Sequence, residues 1–340
     1  MKKYLLIFAA IFVLCCHCLA EEQTSLPYKE FKPFKMVFLP DIHLSFQDKE
    51  SNILYKESHV ILQDVLKNLN QEKTLDFVVF GGNLTSNDDN KFSDMPMFLD
   101  TVAELQAKYY AILGDREAAF AEGFSKEDFT REFDEFSFKT MSQTFWAAEP
   151  VKDVLLIGLD SSVKNEEAGY LNMHQLFWLD NTLKNNMKKF TIIAMHHPPL
   201  LTCDVDKTNW EKYMLKKPDL FLELINLYPQ VKIILSGHHF SNFTKKNNKK
   251  FFITCPSIVV YPNMYKTFTV YPERIEVDNE TISFKQLIKK AEELLVKSSY
   301  AEEFSSEKPK SALKYQRGDK FSNKKEYYFE NKKRHSFLWF

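Results

Sequence analysis

The segment Phe34-Lys-Met-Val-Phe-Leu-Pro-Asp-Ile-His43 joins an apolar run to a polar turn, and this arrangement recurs along the chain. Similar apolar runs cover residues 75–80, 109–113, 154–159, 190–195 and 231–235. Their apolar residues occupy successive rather than alternating positions, which is typical of strands buried on both faces. Helical patterns lie between the runs, at residues 52–69, 98–108, 173–183 and 218–227. This alternation predicts an α/β fold with layers around a largely parallel sheet.

The pattern changes after residue 250, where apolar runs follow one another without helices between them. These runs cover residues 251–254, 266–271 and 274–277, and they predict antiparallel strands that complete a second sheet. A last amphipathic helix is predicted at residues 284–296.

Glycine and histidine are concentrated in the turns that directly follow five of the predicted strands. These turns hold four of the eight glycines and five of the nine histidines: Gly81, Gly82, Gly114, Gly237, His43, His196, His197, His238 and His239. Ligands of layered α/β folds bind at the carboxyl ends of the strands. Imidazole and carboxylate groups together suit Zn, Mn or Fe. A single histidine after a strand is more often a hydrogen-bonded polar residue, but five in sequence favour a metal centre.

Charge and hydropathy exclude several classes of protein. The chain has 45 Lys+Arg and 46 Asp+Glu, a formal net charge of −1, so we expect no nucleic-acid partner. No apolar run reaches the roughly 18 residues that span a bilayer, which excludes a multi-pass membrane protein. Residues 1–20 combine a basic start, an apolar stretch and a terminal Ala20, which predicts a secretory signal peptide and a secreted or periplasmic protein. An uncleaved membrane anchor is the alternative.

The ordered turns resemble the signature of the calcineurin-like metallophosphoesterases, in the branch of the class III cyclic-nucleotide phosphodiesterases and purple acid phosphatases. The resemblance covers residues 34–277 and rests on Asp41-Ile-His43, Gly81-Gly-Asn83, Gly114-Asp-Arg-Glu117, His196 and Gly237-His-His-Phe240. It implies a four-layer αββα sandwich with a bimetal centre that hydrolyses phosphomonoesters or phosphodiesters. The implied substrate is a phosphoester small molecule.

The resemblance also implies the roles of individual residues. It assigns the metal ligands to Asp41, His43, Asn83, Asp115, His196 and His238, and places Arg116 at the catalytic position that contacts phosphate. Four positions depart from the family pattern. Asn83 replaces a bridging aspartate, Asp115 replaces an asparagine, Arg116 replaces a histidine, and Phe240 replaces a ligating histidine.

These departures predict an altered centre with one firm and one weak metal site, which would hold a divalent or trivalent Mn, Fe or Zn ion. Asp115, His196 and His238 form the predicted firm site, to which the Asn83 carbonyl can add a donor. Asp41 with His43, helped by Asn83, forms the predicted weak one. The alternative function is a catalytically silent relative that binds a phosphate-bearing ligand or a partner protein.

The predicted domain order is a signal peptide at 1–20, a phosphoesterase domain at 34–282, a C-terminal helix at 283–307 and a tail at 308–340. The tail holds 10 Lys+Arg against 3 acidic residues and several aromatic residues. We expect it to be flexible and solvated. The alternative is a surface contact with a membrane or an anionic polymer.

Overall fold

The computed structural model describes residues 26–48, 51–86, 91–119, 126–137, 143–202 and 213–330. The strands are β1 (Phe34–Leu39), β2 (Leu75–Phe80), β3 (Lys108–Ala111), β4 (Trp146–Val151), β5 (Val154–Gly158), β6 (Phe190–Ala194), β7 (Val231–Ser236), β8 (Phe243–Asn247), β9 (Lys250–Thr254), β10 (Met264–Val270), β11 (Arg274–Thr281) and β12 (Glu326–Tyr328). The helices are α1 (Ser58–Gln71), α2 (Lys91–Val102), α3 (Asp115–Ala119), α4 (Lys126–Ser137), α5 (Met173–Asn185), α6 (Pro218–Asn226), α7 (Lys285–Val296), α8 (Ser299–Phe304) and α9 (Ser311–Arg317).

The predicted signal peptide lies outside the described residues. Within the described ranges, no helix is both long and apolar enough to cross a membrane.

The strands form two six-stranded sheets with helices on their outer faces, so the predicted four-layer α/β sandwich is confirmed. The first sheet has the order β12-β11-β10-β1-β2-β3, and the second has the order β4-β5-β6-β7-β9-β8. One hydrophobic core lies between the sheets and also takes in α1. A second core lies between the second sheet and helices α5 and α6.

Strand β6 shows why its apolar residues are consecutive. Ile192 belongs to the core between the sheets, whereas its neighbour Ile193 belongs to the core under α5 and α6. Because successive side chains of a strand point to opposite faces, a strand covered on both faces needs apolar residues at every position.

The strands after residue 250 are distributed differently from the prediction. β10 and β11 are antiparallel as predicted, but they join the first sheet, where β10 pairs with β1. Only β9 joins the second sheet, parallel to β7. The hydrogen-bonding edge of β1 opposite β2 needs a partner, and β10 supplies it.

The expectation of a flexible, solvated tail is wrong for the described residues 308–330. Strand β12 pairs with β11 and extends the first sheet. Tyr327 and Phe329 are 2% and 1% exposed and belong to the main core. The segment is therefore part of the folded structure up to Glu330.

Candidate metal centre

Five loops, each at the carboxyl end of a strand, bring the predicted site residues together. The loops after β1, β2 and β3 carry the first group, and those after β6 and β7 carry the second. Their residues are Asp41, His43, Asn83, Asp115, Arg116, His196 and His238. Except for Arg116 and His238, these residues are at most 3% exposed.

The backbone at this edge adopts the left-handed conformation at several residues that are not glycine. The φ angles are 56° at Asp41, 47° at His43, 53° at Asn83, 66° at His238 and 53° at Phe240. Such conformations cost energy in residues with a Cβ and tend to cluster at functional sites. Here they turn the backbone sharply at the end of each strand, so that side chains from separate loops meet.

One glycine is required by the close approach of the β2 and β3 loops. A Cβ on Gly114 would lie 2.2 Å from Asn83 Oδ1 and 2.4 Å from Asn83 N. Any larger residue would therefore separate the two loops and displace the neighbouring Asp115.

Asp115, His196 and His238 present three donor atoms in a compact triangle. Asp115 Oδ1 lies 3.1 Å from His196 Nε2 and 3.2 Å from His238 Nδ1, and the two nitrogens are 3.2 Å apart. Ligands on one tetrahedral ion at about 2.0–2.1 Å are separated by roughly 3.3 Å. The triangle thus matches one face of a metal coordination shell.

The orientation of His196 is fixed by the backbone. Its Nδ1 donates a hydrogen bond of 2.8 Å to the Gly81 carbonyl oxygen, which holds the ring so that Nε2 faces Asp115 and His238. A hydrogen bond of this kind holds the tautomer and orientation of metal-ligating histidines.

The charges of the cluster favour a cation at its centre. Burial raises the pKa of Asp115, but the charge of His238 and hydrogen bonds from His196 and His238 outweigh it and hold that pKa well below its usual range. Burial also raises the pKa of Asp41, but the charge of His196 outweighs it, so this pKa is lowered as well. Burial lowers the pKa of His196, yet the two carboxylates raise it to about 9. The centre stabilises positive charge.

Asp41 and His43 form a second, smaller donor pair. His43 Nε2 lies 3.6 Å from Asp41 Oδ1, and neither ring nitrogen of His43 has a hydrogen-bond partner among the described residues. The His43 ring packs edge-on against Tyr55 and Phe240, at centroid distances of 6.2 and 5.7 Å. A buried imidazole without hydrogen bonds is costly, and a metal ion beside Asp41 would satisfy it.

Asn83 lies between the two carboxylates. Its amide nitrogen donates to Asp41 Oδ1 at 3.0 Å and to Asp115 Oδ1 at 2.9 Å. Its oxygen accepts a hydrogen bond of 2.9 Å from the backbone N–H of Arg116. The Arg116 N–H can only donate, so this network fixes which end of the amide faces the carboxylates.

A cavity of about 220 Å³ is lined by part of the centre, including Asp115 and His238, and by Arg116. Arg116 Nε lies 3.6 Å from Asp115 Oδ2, which holds the guanidinium beside the donor triangle. His239 lines this cavity too. His197 lies behind it, where its Nδ1 accepts from the Ser161 hydroxyl and its Nε2 donates to the Glu167 carbonyl oxygen.

Comparison with known proteins agrees with this arrangement. The family model for the calcineurin-like phosphoesterase matches residues 34–241, which is more than half of the chain. The chain belongs to the calcineurin-like phosphoesterase family. The matched residues include every predicted metal ligand.

Two curated relatives and one solved structure show how far the similarity of this phosphoesterase extends. An Arcobacter nitrofigilis protein named "Probable glycerophosphodiester phosphodiesterase GpdQ" is 26% identical over 65% of this chain and 77% of its own length. A 3',5'-cyclic-nucleotide phosphodiesterase of Nostoc is 33% identical, over 34% of this chain and 42% of its own length. A dimetal phosphatase of Danio rerio superposes with a TM-score of 0.61 and 14% identity, covering 75% of this chain and all of that one, which shows a shared fold.

Glu117 has a structural role in the phosphoesterase that sequence reasoning did not assign. Its carboxylate accepts hydrogen bonds from the backbone N–H groups of Asn83, Leu84 and Gly114 at 2.9, 2.7 and 2.8 Å. It thereby joins the β2 loop to the β3 loop. The sequence shows Glu117 within the segment Gly114-Asp-Arg-Glu117. It does not show which backbone N–H groups Glu117 binds, because two of them belong to the β2 loop and are brought close only by folding.

Replacing Glu117 by alanine is expected to destabilise the fold and the centre together. At least three buried N–H groups would lose their acceptor, and each unsatisfied group costs about 1–3 kcal/mol. Urea unfolding should show a free energy of unfolding lower by several kcal/mol, and metal affinity should fall. Glu127→Ala is the control because Glu127 is exposed on α4. Equal stability of the two variants would contradict this role for Glu117.

Proposed function

We propose that the protein is an exported metal-dependent hydrolase of phosphomonoesters or phosphodiesters, with one firm metal site in an altered centre. The observation that carries the proposal is the donor triangle of Asp115, His196 and His238, whose edges are 3.1–3.2 Å. The names of the Arcobacter and Nostoc relatives favour phosphodiesters as the substrate class. Export rests on the predicted signal peptide alone.

The firm site would hold a Mn, Fe or Zn ion through one carboxylate and two imidazoles. Such an ion offsets negative charge on a phosphoryl group and lowers the pKa of a coordinated water. Asp115 would supply the negative charge that compensates the ion, and the Gly81 carbonyl would keep His196 oriented.

Arg116 would bind the phosphoryl oxygens beside the ion. Its planar guanidinium offers several N–H donors in a geometry that fits phosphate, and it borders the same cavity. Arginine keeps its proton at neutral pH, so it cannot protonate a leaving group as a histidine would. The protein should therefore favour esters with good leaving groups.

The second site is weak in this proposal because Phe240 contributes no donor. Asp41 and His43 remain, and Asn83 directs its amide nitrogen rather than its oxygen toward the carboxylates. We propose that Asn83 acts as a hydrogen-bonded bridge between Asp41 and Asp115. This arrangement is also the observation that favours the alternative, a catalytically silent phosphate-binding relative.

Metal content tests the altered centre directly. Elemental analysis of the purified wild type should find about one firmly bound transition metal per chain, since a 2-His-1-carboxylate set holds one ion. Phe240→His together with Asn83→Asp should raise this toward two, because the new imidazole would lie beside His43. Phe240→Leu is the matched control and should leave the content unchanged. Two firmly bound ions in the wild type would refute the one-site proposal.

Turnover separates the enzyme from its silent alternative. The metal-loaded protein should hydrolyse an aryl phosphate monoester or an aryl phosphodiester, whose leaving groups need little protonation. A folded, metal-loaded protein that turns over neither substrate would favour the ligand-binding alternative.

A further inference from the structure

A second cavity, of about 410 Å³, lies at the opposite ends of the strands from the metal centre. It is bordered by the start of β7, by the start of β9 and by the turn that precedes β9. The polar residues that line it are Lys232, Lys249, Lys250, Asn226, Asn248 and Glu330. The lining thus holds three lysines and a single carboxylate, and the two asparagines add amide groups.

Two of the lysines are buried, which is rare for this residue unless it is paired. Lys232 and Lys250 are each 3% exposed. Lys250 Nζ donates to the Tyr228 carbonyl oxygen at 3.1 Å. Lys232 Nζ lies 3.8 Å from Glu330 Oε1, while Glu330 Oε2 pairs with Lys249 at 2.8 Å. One carboxylate is therefore shared between two ammonium groups.

The like charges repel one another in this cavity. Burial, followed by the charge of Lys232, lowers the pKa of Lys250 to about 8. Burial also lowers the pKa of Lys232, with Glu330 opposing it and Lys249 and Lys246 adding to it. A bound anion would relieve this repulsion.

The turn before β9 places Lys249 at the cavity at an energetic cost. The hairpin between β8 and β9 has a two-residue loop in which Asn248 and Lys249 have φ angles of 46° and 61°. A type I′ turn of this kind prefers glycine at its second position. A lysine at that position costs energy in the backbone, which is typical of residues kept for a function.

We propose that this cavity is a binding site for a phosphate-bearing anion, separate from the metal centre. Lys232, Lys249 and Lys250 would pair with the phosphate oxygens, and the Asn226 and Asn248 amides would donate further hydrogen bonds. The site requires neither a metal ion nor catalytic activity, so it stands independently of the proposed hydrolase.

Isothermal titration of the full-length protein with inorganic pyrophosphate tests the site. Lys232→Met, Lys249→Met and Lys250→Met should each weaken binding about tenfold or more, because each removes a charge-assisted hydrogen bond. Glu330→Gln should tighten binding, since it removes the competing carboxylate. Lys245→Met is the control, because Lys245 is exposed on β8 and does not line the cavity.

Two further measurements identify the binding place and the source of the phosphate. Because pyrophosphate also suits a metal centre, the titration is repeated with His238→Ala, which should retain the lysine-dependent binding. Phosphatidylcholine vesicles with phosphatidylinositol 4-phosphate are the second probe, and binding lost in Lys249→Met would identify a lipid headgroup as the ligand. Lysine-dependent binding of pyrophosphate without vesicle binding would identify a free anion. Binding of neither probe, or binding unchanged in all three lysine variants, would overturn the proposal. Lys249 is exposed, so its variant should fold even if the buried ones fail.

Discussion

Replacing His238 by alanine is expected to abolish both firm metal binding and hydrolysis of an aryl phosphate. His238 Nδ1 lies 3.2 Å from both Asp115 Oδ1 and His196 Nε2, so its loss removes one corner of the donor triangle. Loss of a residue that merely supports a ligand costs about 10–100-fold in metal affinity, and loss of a ligand should cost more. Elemental analysis and a chromogenic phosphatase assay measure the two effects.

The matched control for this variant is His174→Ala. His174 is exposed on α5 and lies outside the cavity, so its loss should leave metal content and turnover unchanged. A His238→Ala protein that still holds its ion firmly would show that the triangle is not the metal site.

Arg116→His extends the same test to the leaving group. General acid catalysis is typically worth about 10²–10⁴ in rate, and a histidine can supply it where an arginine cannot. Hydrolysis of an alkyl phosphate ester should therefore become faster, while that of an aryl ester should change little. Equal effects on both substrates would mean that Arg116 acts only by binding phosphate.

The site was predictable from the sequence because the loops after parallel strands meet at one sheet edge. The strands at Phe34–Leu39 and Leu75–Phe80 have the predicted bounds, so the residues directly after them were placed correctly. Because these strands are buried on both faces, their apolar residues are consecutive, and this pattern indicated the strands most clearly. Glycines in the turns marked the places where the backbone needed freedom or space.

Helix boundaries were less predictable, since periodic apolar residues also occur in buried loops. The helix predicted at 52–69 begins at Ser58, because residues 51–57 form a loop in which Ile53 forms a β-bridge with Val260. The helix predicted at 98–108 instead covers Lys91–Val102 and contains Pro96. The start of the first helix is therefore set by a contact between residues far apart in the sequence, the bridge between Ile53 and Val260.

The orientation of Asn83 and the docking of the C-terminal segment were beyond sequence reasoning. The first depends on a backbone N–H from a different loop. The second depends on β12, whose three residues are too few to show a hydrophobic period. The ten basic residues of the segment 308–340 made it resemble a solvated tail, although Tyr327 and Phe329 are buried.

Truncation after Ser306 is expected to lower the melting temperature strongly, because the removed segment contains buried core residues. Phe329 packs against Phe190 and Phe251, with ring centroids 5.5 and 5.8 Å apart. Phe329→Ala alone should lower the free energy of unfolding by about 3–5 kcal/mol, as for other large-to-small core substitutions. Truncation should cost more, since it also removes the pairing of β12 with β11. Urea unfolding of both variants measures these losses.

Phe177→Ala is the matched control for the tail prediction, because Phe177 is the same residue type but is 63% exposed. Its free energy of unfolding should stay within about 0.5 kcal/mol of wild type. If Phe329→Ala behaved like this control, the C-terminal segment would not be docked in solution. Weaker binding of the truncated protein to anionic liposomes at unchanged stability would then favour the surface contact instead. A large loss in Phe329→Ala, by contrast, would establish that the first sheet needs its last strand, and that residues beyond the family match belong to the folded unit.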